Sequence, residues 1–251
     1  MAVDSGAAGG PVRLGCLYPG FAAEDDYPVL AARVRAQVDV RMEVVHTTVG
    51  EDAHRIDALL DLGSEARLLG GAEELARRGV DVVLWACTSG SFVFGLEGAR
   101  RQVQPLADTL GVPASSTSLA YVSALQALSV RRVAVAATYP AEVTDRFVAF
   151  LSAAGFEVVA AGSNDIITAD EVGTFTHDRV IDIVTSGDHP AAEAVLVPDT
   201  ALHTAAWLEE FEAAVGKPVL TANQVTVWEA LRLAGARMTG DRLGALFRVS
   251  R

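Results

Sequence analysis

Val82-Val83-Leu84-Trp85-Ala86-Cys87-Thr88 has a counterpart in Ala194-Val195-Leu196-Val197-Pro198-Asp199-Thr200, with Cys87 and Asp199 112 positions apart. Each stretch is a short apolar run ending in a polar residue and Thr, as expected of a buried strand whose end meets a polar edge. Two further echoes flank this pair. Val12-Arg13-Leu14-Gly15-Cys16-Leu17-Tyr18-Pro19 matches Arg132-Val133-Ala134-Val135-Ala136-Ala137-Thr138-Tyr139-Pro140, with the two Tyr-Pro pairs 121 positions apart. Thr117 with Ala124-Leu125 matches Asn223 with Ala230-Leu231 at an offset of 106. Three echoes in the same order, at slowly drifting offsets, mark an internal repeat of about 110 residues.

Outward from these stretches the same alternation continues. Val- and Leu-rich runs at 12–17, 38–45, 80–86, 132–137, 157–160, 194–197 and 218–221 read as strands. Helical patterns lie between them at 25–37, 64–78, 91–110, 117–128, 141–154, 169–186, 202–215 and 224–233. Such alternation specifies an α/β protein with parallel sheets. Combined with the repeat, it predicts two pseudo-symmetric domains, each a parallel sheet flanked by helices: 11–121 with 225–251, and 122–224. The C-terminal strand ends of both would then surround one cleft, where such sheets bind ligands. The Gly/Ala-rich first ten residues are expected to be loose.

Composition removes several classes of function. A net charge of −12 over 251 residues argues against a nucleic-acid surface and against steering anions from a distance. An anion would have to be held by local hydroxyls and backbone amides. The single lysine, Lys217, sits in a Gly-Lys-Pro turn, which speaks against a pyridoxal enzyme or a P-loop. Two cysteines, Cys16 and Cys87, are too few for a disulfide-stapled scaffold or a Cys-rich zinc site. The five histidines, His46, His54, His177, His189 and His203, show no metal-ligand spacing, and no Gly-x-Ser-x-Gly elbow is present. The first residues have no basic leader, and no apolar run nears the roughly 20 residues of a bilayer crossing. The expectation is a cytoplasmic protein with no metal, membrane or nucleic-acid partner.

The chemistry concentrates at strand ends. Ala86-Cys87-Thr88-Ser89-Gly90-Ser91-Phe92 follows a strand and opens a helix. Free amides and hydroxyls there suit an anion, and the same surroundings lower a thiol pKa. Cys87 is thus a candidate nucleophile or base; the plainer alternative makes it a small core residue and Ser89 a helix cap. Asp199 reads as a cleft acid or as a cap of the following helix. Tyr139 reads as a hydroxyl donor or as packing, and Ser115, Ser116 and Thr117 as cleft donors or caps. Cys16, among apolar neighbours inside the first strand, reads as structural.

Taken together, the Cys-Thr-Ser motif at 87–89, the Thr138-Tyr139 strand end and the Val195-Leu196-Val197-Pro198-Asp199-Thr200 strand end resemble the aspartate/glutamate racemase superfamily. Within it, the pattern is most similar to the branch of maleate cis-trans isomerases and arylmalonate decarboxylases. The resemblance runs from about residue 12 to 233. It implies two pseudo-symmetric halves with the active site between them, no metal or organic cofactor, and a small carboxylate substrate. By it Cys87 matches the thiol that adds to the double bond or carries a proton. Thr88, Ser89 and Tyr139 match positions that hold a carboxylate or its enediolate, and Thr200, Tyr18 and Ser116 complete the expected substrate-binding set. The departure is Asp199, where the family usually has its second cysteine. That departure disfavours paired-thiol racemisation, and decarboxylases keep the second cysteine rather than the first. The expectation is therefore an isomerase, with a racemase or decarboxylase acting through an enediolate as the alternative. A small-carboxylate binding protein without catalysis is the rival from another class. A homodimer is expected.

Overall fold

The computed structural model describes residues 10–34, 39–236 and 242–249. Strands β1 (Val12–Pro19), β2 (Val40–Thr47), β3 (Val82–Trp85) and β4 (Ala114–Ser116) form one parallel sheet in the order β2-β1-β3-β4. Strands β5 (Arg132–Ala136), β6 (Glu157–Gly162), β7 (Ala194–Val197) and β8 (Val219–Thr221) form a second, also parallel, in the order β6-β5-β7-β8. The two orders are the same when each sheet is counted from its own first strand, so the sequence repeat corresponds to a repeated α/β unit. Strands β3 and β7 are buried along their whole length, which is why they read as unbroken apolar runs.

Register refines the offsets. Across the sheets Leu14 faces Val82 and Val133 faces Ala194, so the first strands are related by 119 positions (133 less 14) and not 121. Tyr139 therefore stands two residues beyond the sheet position of Tyr18. At the other end, Ser116 and Thr221 both cap the helices that follow, an offset of 105 (221 less 116) in place of 106.

The helices are α1 (Asp26–Val34), α2 (Ile56–Leu62), α3 (Glu65–Arg78), α4 (Ser89–Phe92), α5 (Gly95–Leu110), α6 (Thr117–Leu128), α7 (Ala141–Ala153), α8 (Ala169–Gly173), α9 (His177–Ser186), α10 (Leu208–Val215) and α11 (Ala222–Leu233). The helix expected over 91–110 is two helices, because the chain turns at Gly95 with φ +70°, a conformation open to glycine at little cost. The helix expected over 169–186 is likewise two, and 202–215 starts as a 3-10 turn, Ala205–Trp207. Strand β4 was expected only as a strand end at 115–117, and helix α2 was not expected. The loose N-terminus (apart from Gly10), the end of the helix at 25–37 and the start of the strand at 38–45 fall outside the described residues.

The two sheets share one core. Tyr121 of α6 packs on Phe147 of α7 with ring centroids 5.6 Å apart, and Phe147 packs on Phe92 of α4 at 5.1 Å. Truncating a ring as buried as Phe147 typically costs about 3–5 kcal/mol. Helices α6 and α11 lie against each other, with a 2.7 Å hydrogen bond between Thr117 Oγ1 and Thr226 Oγ1. The expected boundaries at 121/122 and 224/225 fall inside these two helices, which run through them unbroken. A further tie comes from Asp26, whose Oδ2 accepts the amides of Thr204 (2.9 Å) and Ala205 (3.1 Å). No described helix is long and apolar enough to cross a membrane.

Candidate active site

A cavity of about 430 Å³ opens where β1, β3 and β7 end, and Tyr18, Cys87, Ser89, Asp199 and Thr200 line it. Cys87 leaves β3 two residues past its end and remains only 3 % exposed. Its sulfur accepts the Gly90 N–H at 3.3 Å and lies 3.9 Å from Ser89 Oγ. The first-turn amide that the sequence offered to an anion is thus aimed at the sulfur itself. Glycine at 90 makes this approach possible, since a Cβ there would sit 3.1 Å from Sγ and 3.3 Å from Trp85 Cζ2.

The expectation of a lowered thiol pKa is corrected by the structure. Burial pushes the Cys87 thiol up to about 12; the Gly90 amide and Ser89 hydroxyl oppose this, and the Asp199 carboxylate adds to it. A four-residue helix presents too little aligned backbone to offset the desolvation of the sulfur, and among the described residues no Lys or Arg lines its cavity. Cys16, inside β1, is likewise pushed up to about 12 by burial, as a structural thiol should be.

Asp199 caps a turn and also lines the cavity. Its Oδ1 accepts the Ala201 N–H at 2.9 Å, capping the turn after β7, and its Oδ2 accepts a short hydrogen bond from the Thr138 hydroxyl. The carboxylate nevertheless faces the cavity. Three tyrosine hydroxyls hold the backbone on either side of it. Tyr121 donates to Val197 O at 2.6 Å, Tyr139 to Pro198 O at 2.7 Å and Tyr18 to Thr200 O at 3.0 Å. All three phenols are held above their ordinary range, chiefly by burial, so they remain donors at any working pH.

The expected substrate-binding residues divide accordingly. Ser89, Thr200 and Tyr18 line the cavity, although the Tyr18 hydroxyl is already occupied, also accepting the Ala23 N–H at 3.0 Å. Tyr139 lies one layer behind, its ring edge against His54 at 4.8 Å. Thr88 is fully buried at the cap of α4, and its carbonyl accepts from Ser118 Oγ at 2.8 Å. Ser116 is a helix cap and not a cleft donor: its Oγ accepts the Leu119 N–H at 3.3 Å and shares a 2.8 Å hydrogen bond with Ser91 Oγ.

The sequence reading missed the loop between β2 and α2, which crosses the mouth to the other sheet. The His54 N–H donates to Ile167 O at 2.6 Å and its Nδ1–H to Ile166 O at 2.8 Å. Asp52 Oδ1 and Oδ2 accept the amides of Ala169 (2.9 Å) and Asp170 (3.1 Å), capping α8. Neither residue has an echo in the repeat. Among the described residues no Lys or Arg lines the cavity, whereas Glu51, Asp52, Asp170 and Asp199 do. No three described His, Cys, Asp or Glu side chains converge to hold a metal ion.

Comparison with known proteins shows the family. The family model described as arylmalonate decarboxylase matches residues 63–247. An arylmalonate decarboxylase of Bordetella bronchiseptica is 28% identical over 166 residues, covering 65% of this chain and 69% of that protein. A maleate isomerase of Pseudomonas putida is 28% identical over 183 residues, covering 70% and 72%. Among solved structures, a mutant Nocardia farcinica maleate cis-trans isomerase with a covalently bound succinylcysteine intermediate superposes with a TM-score of 0.88. That match is at 22% identity, over 96% of this chain and 100% of the other, and is a likeness of fold. With the family model covering most of its length, including Cys87 and Asp199, this chain belongs to the arylmalonate decarboxylase family, in the branch that also holds the maleate isomerases.

Proposed function

We propose that the protein is a cis-trans isomerase of a small unsaturated carboxylic acid, with Cys87 as the nucleophile. The observation that carries this reading is the placement of Cys87 and Asp199 on facing strand ends of one cavity. The maleate isomerases among its relatives support the reaction class. The succinylcysteine adduct named for the Nocardia enzyme supports a covalent route.

The steps proposed from this placement start at the Cys87 thiol. Cys87 is a thiol before substrate binds, so its proton has to leave as the carbon–sulfur bond forms. Asp199 takes that proton as general base, each of its oxygens keeping a lone pair beyond the bonds from Ala201 and Thr138. The alkene π pair moves onto the substrate carboxylate as an enediolate, toward which Ser89 Oγ donates. The former double bond, now single, rotates. The enediolate pair then re-forms the alkene, expelling the sulfur, which recovers its proton from Asp199. No atom or electron is gained or lost overall.

One observation favours a second reading. A thiol held protonated at neutral pH is also a competent proton donor, and with the decarboxylase family model this favours Cys87 protonating an enediolate left by loss of carbon dioxide. Racemisation would use Cys87 and Asp199 as unlike carriers on two faces. We assign 11–121 with 225–251 and 122–224 as the two halves, and a cytoplasmic homodimer as the working form. Maleate followed by proton NMR, beside arylmalonate and aspartate in heavy water, separates the reactions. Formation of fumarate that stops in Cys87→Ala supports the isomerase, whereas deuterated aspartate or released carbon dioxide supports the alternatives.

A further inference from the structure

The lining of the cavity narrows the substrate beyond that reading, on which this inference rests. Cys87, Ser89, Asp199 and Thr200 stand at the strand ends, where a reacting carbon and one carboxylate would meet them. Toward the mouth the walls change character. Phe21, Val49, Leu59, Leu62 and Ala169 present apolar surface, and Phe21 is 71 % exposed at the rim, stacked on His46 at 4.0 Å. Three carboxylates stand there, Glu51, Asp52 and Asp170, with His54 beside them.

Among the described residues no Lys or Arg lines the cavity to serve a second carboxylate. Arg55 is spent on Glu51 (2.8 Å) and Asp57 (2.5 Å). Arg67 is spent on Asp61 at 2.6 Å and Thr48 Oγ1 at 2.9 Å. A dicarboxylate bound at Cys87 would place its far charge between apolar walls and fixed carboxylates, where loss of hydration and like charge both oppose it. An uncharged apolar group would meet surface that suits it. The volume of about 430 Å³ lies in the roughly 300–1,000 Å³ range of pockets that take drug-sized molecules, more than a four-carbon acid fills.

We infer that the substrate is a monocarboxylic acid, unsaturated next to its carboxylate, whose far alkene carbon bears an apolar group. Cys87 Sγ adds to that far carbon, the π pair moves into the single carboxylate, and the bond rotates and re-forms as described above. Residues 49, 59 and 62 set the preference.

The test compares (Z)-3-phenylacrylate with maleate, each followed by proton NMR to kcat/KM, in wild type, Cys87→Ser and Val49→Arg. Expected is a preference for the phenylacrylate of about tenfold or more, lost in Cys87→Ser for both acids. Val49→Arg, which supplies the missing cation, should narrow that preference by raising turnover of maleate. Faster Cys87-dependent turnover of maleate by wild type would overturn the inference and leave the isomerase reading standing. Isomerisation of neither acid by folded wild type would overturn both.

Discussion

Alkylation of Cys87 in the empty enzyme is where burial and helix-end chemistry give opposite expectations. A free cysteine thiol titrates near about 8.5, so about a quarter of it is thiolate at pH 8. With Cys87 pushed up to about 12, the thiolate fraction at pH 8 falls to about one in ten thousand. Because only the thiolate reacts, iodoacetamide should modify Cys87 some three orders of magnitude more slowly than a free thiol. Restricted access would slow it further, but access does not change with pH as ionisation does. The decisive readout is therefore the slope: the rate should rise about tenfold per pH unit from pH 8 to beyond pH 10. The assay is a time course of peptide mass spectrometry on a Cys16→Ala background, so that the second buried thiol does not contribute. In Asp199→Asn, removal of the charge that helps raise Cys87 should speed modification at fixed pH and move the curve to lower pH. Modification at pH 7 as fast as a free thiol, or slower modification in Asp199→Asn, would refute the reasoning.

The remaining expectations concern Asp199, alkaline pH and the loop across the mouth. Asp199→Asn removes the proposed general base and should lower kcat for the cis acid by about 10²–10⁴-fold with KM little changed, measured by NMR progress curves. Both thiols have folded values raised from 9.0 to about 12, so their contribution to stability is whole below pH 9 and is lost as pH rises from 9 toward 12. At pH 10 each should cost on the order of 1 kcal/mol relative to pH 8, visible as a lower urea midpoint. Cys16→Ala should remove about half of that dependence. Asp52→Ala deprives α8 of its cap across the cleft. It should cost about 1 kcal/mol in urea unfolding and speed tryptic cleavage after Arg55.

What could be read from the sequence, and what could not, follows from which forces act locally. Buried parallel strands such as Val82–Trp85 and Ala194–Val197 are unbroken apolar runs, so their repetition revealed the two-sheet plan and placed Cys87 and Asp199 at its shared cavity. Strand β4, Ala-Ser-Ser, has little strand propensity and is held in place by pairing with β3. Tyr121 gave no sign of its part, because its bond to Val197 O spans 76 positions. Asp52 and His54 act on 166–170 through contacts over more than 100 positions, which no local pattern records. The raised thiol of Cys87 was missed for a different reason. A rule about helix ends applies to the backbone beside the sulfur, whereas desolvation depends on the whole fold around it.

Rapid acid quench of wild-type enzyme turning over its cis acid, followed by peptide mass spectrometry, tests the covalent step most directly. The expected result is a peptide containing Cys87 heavier by one molecule of the acid, present during turnover and gone once the trans acid has accumulated. Turnover with no such adduct, or undiminished isomerisation by Cys87→Ala, would contradict the assignment of Cys87 as nucleophile.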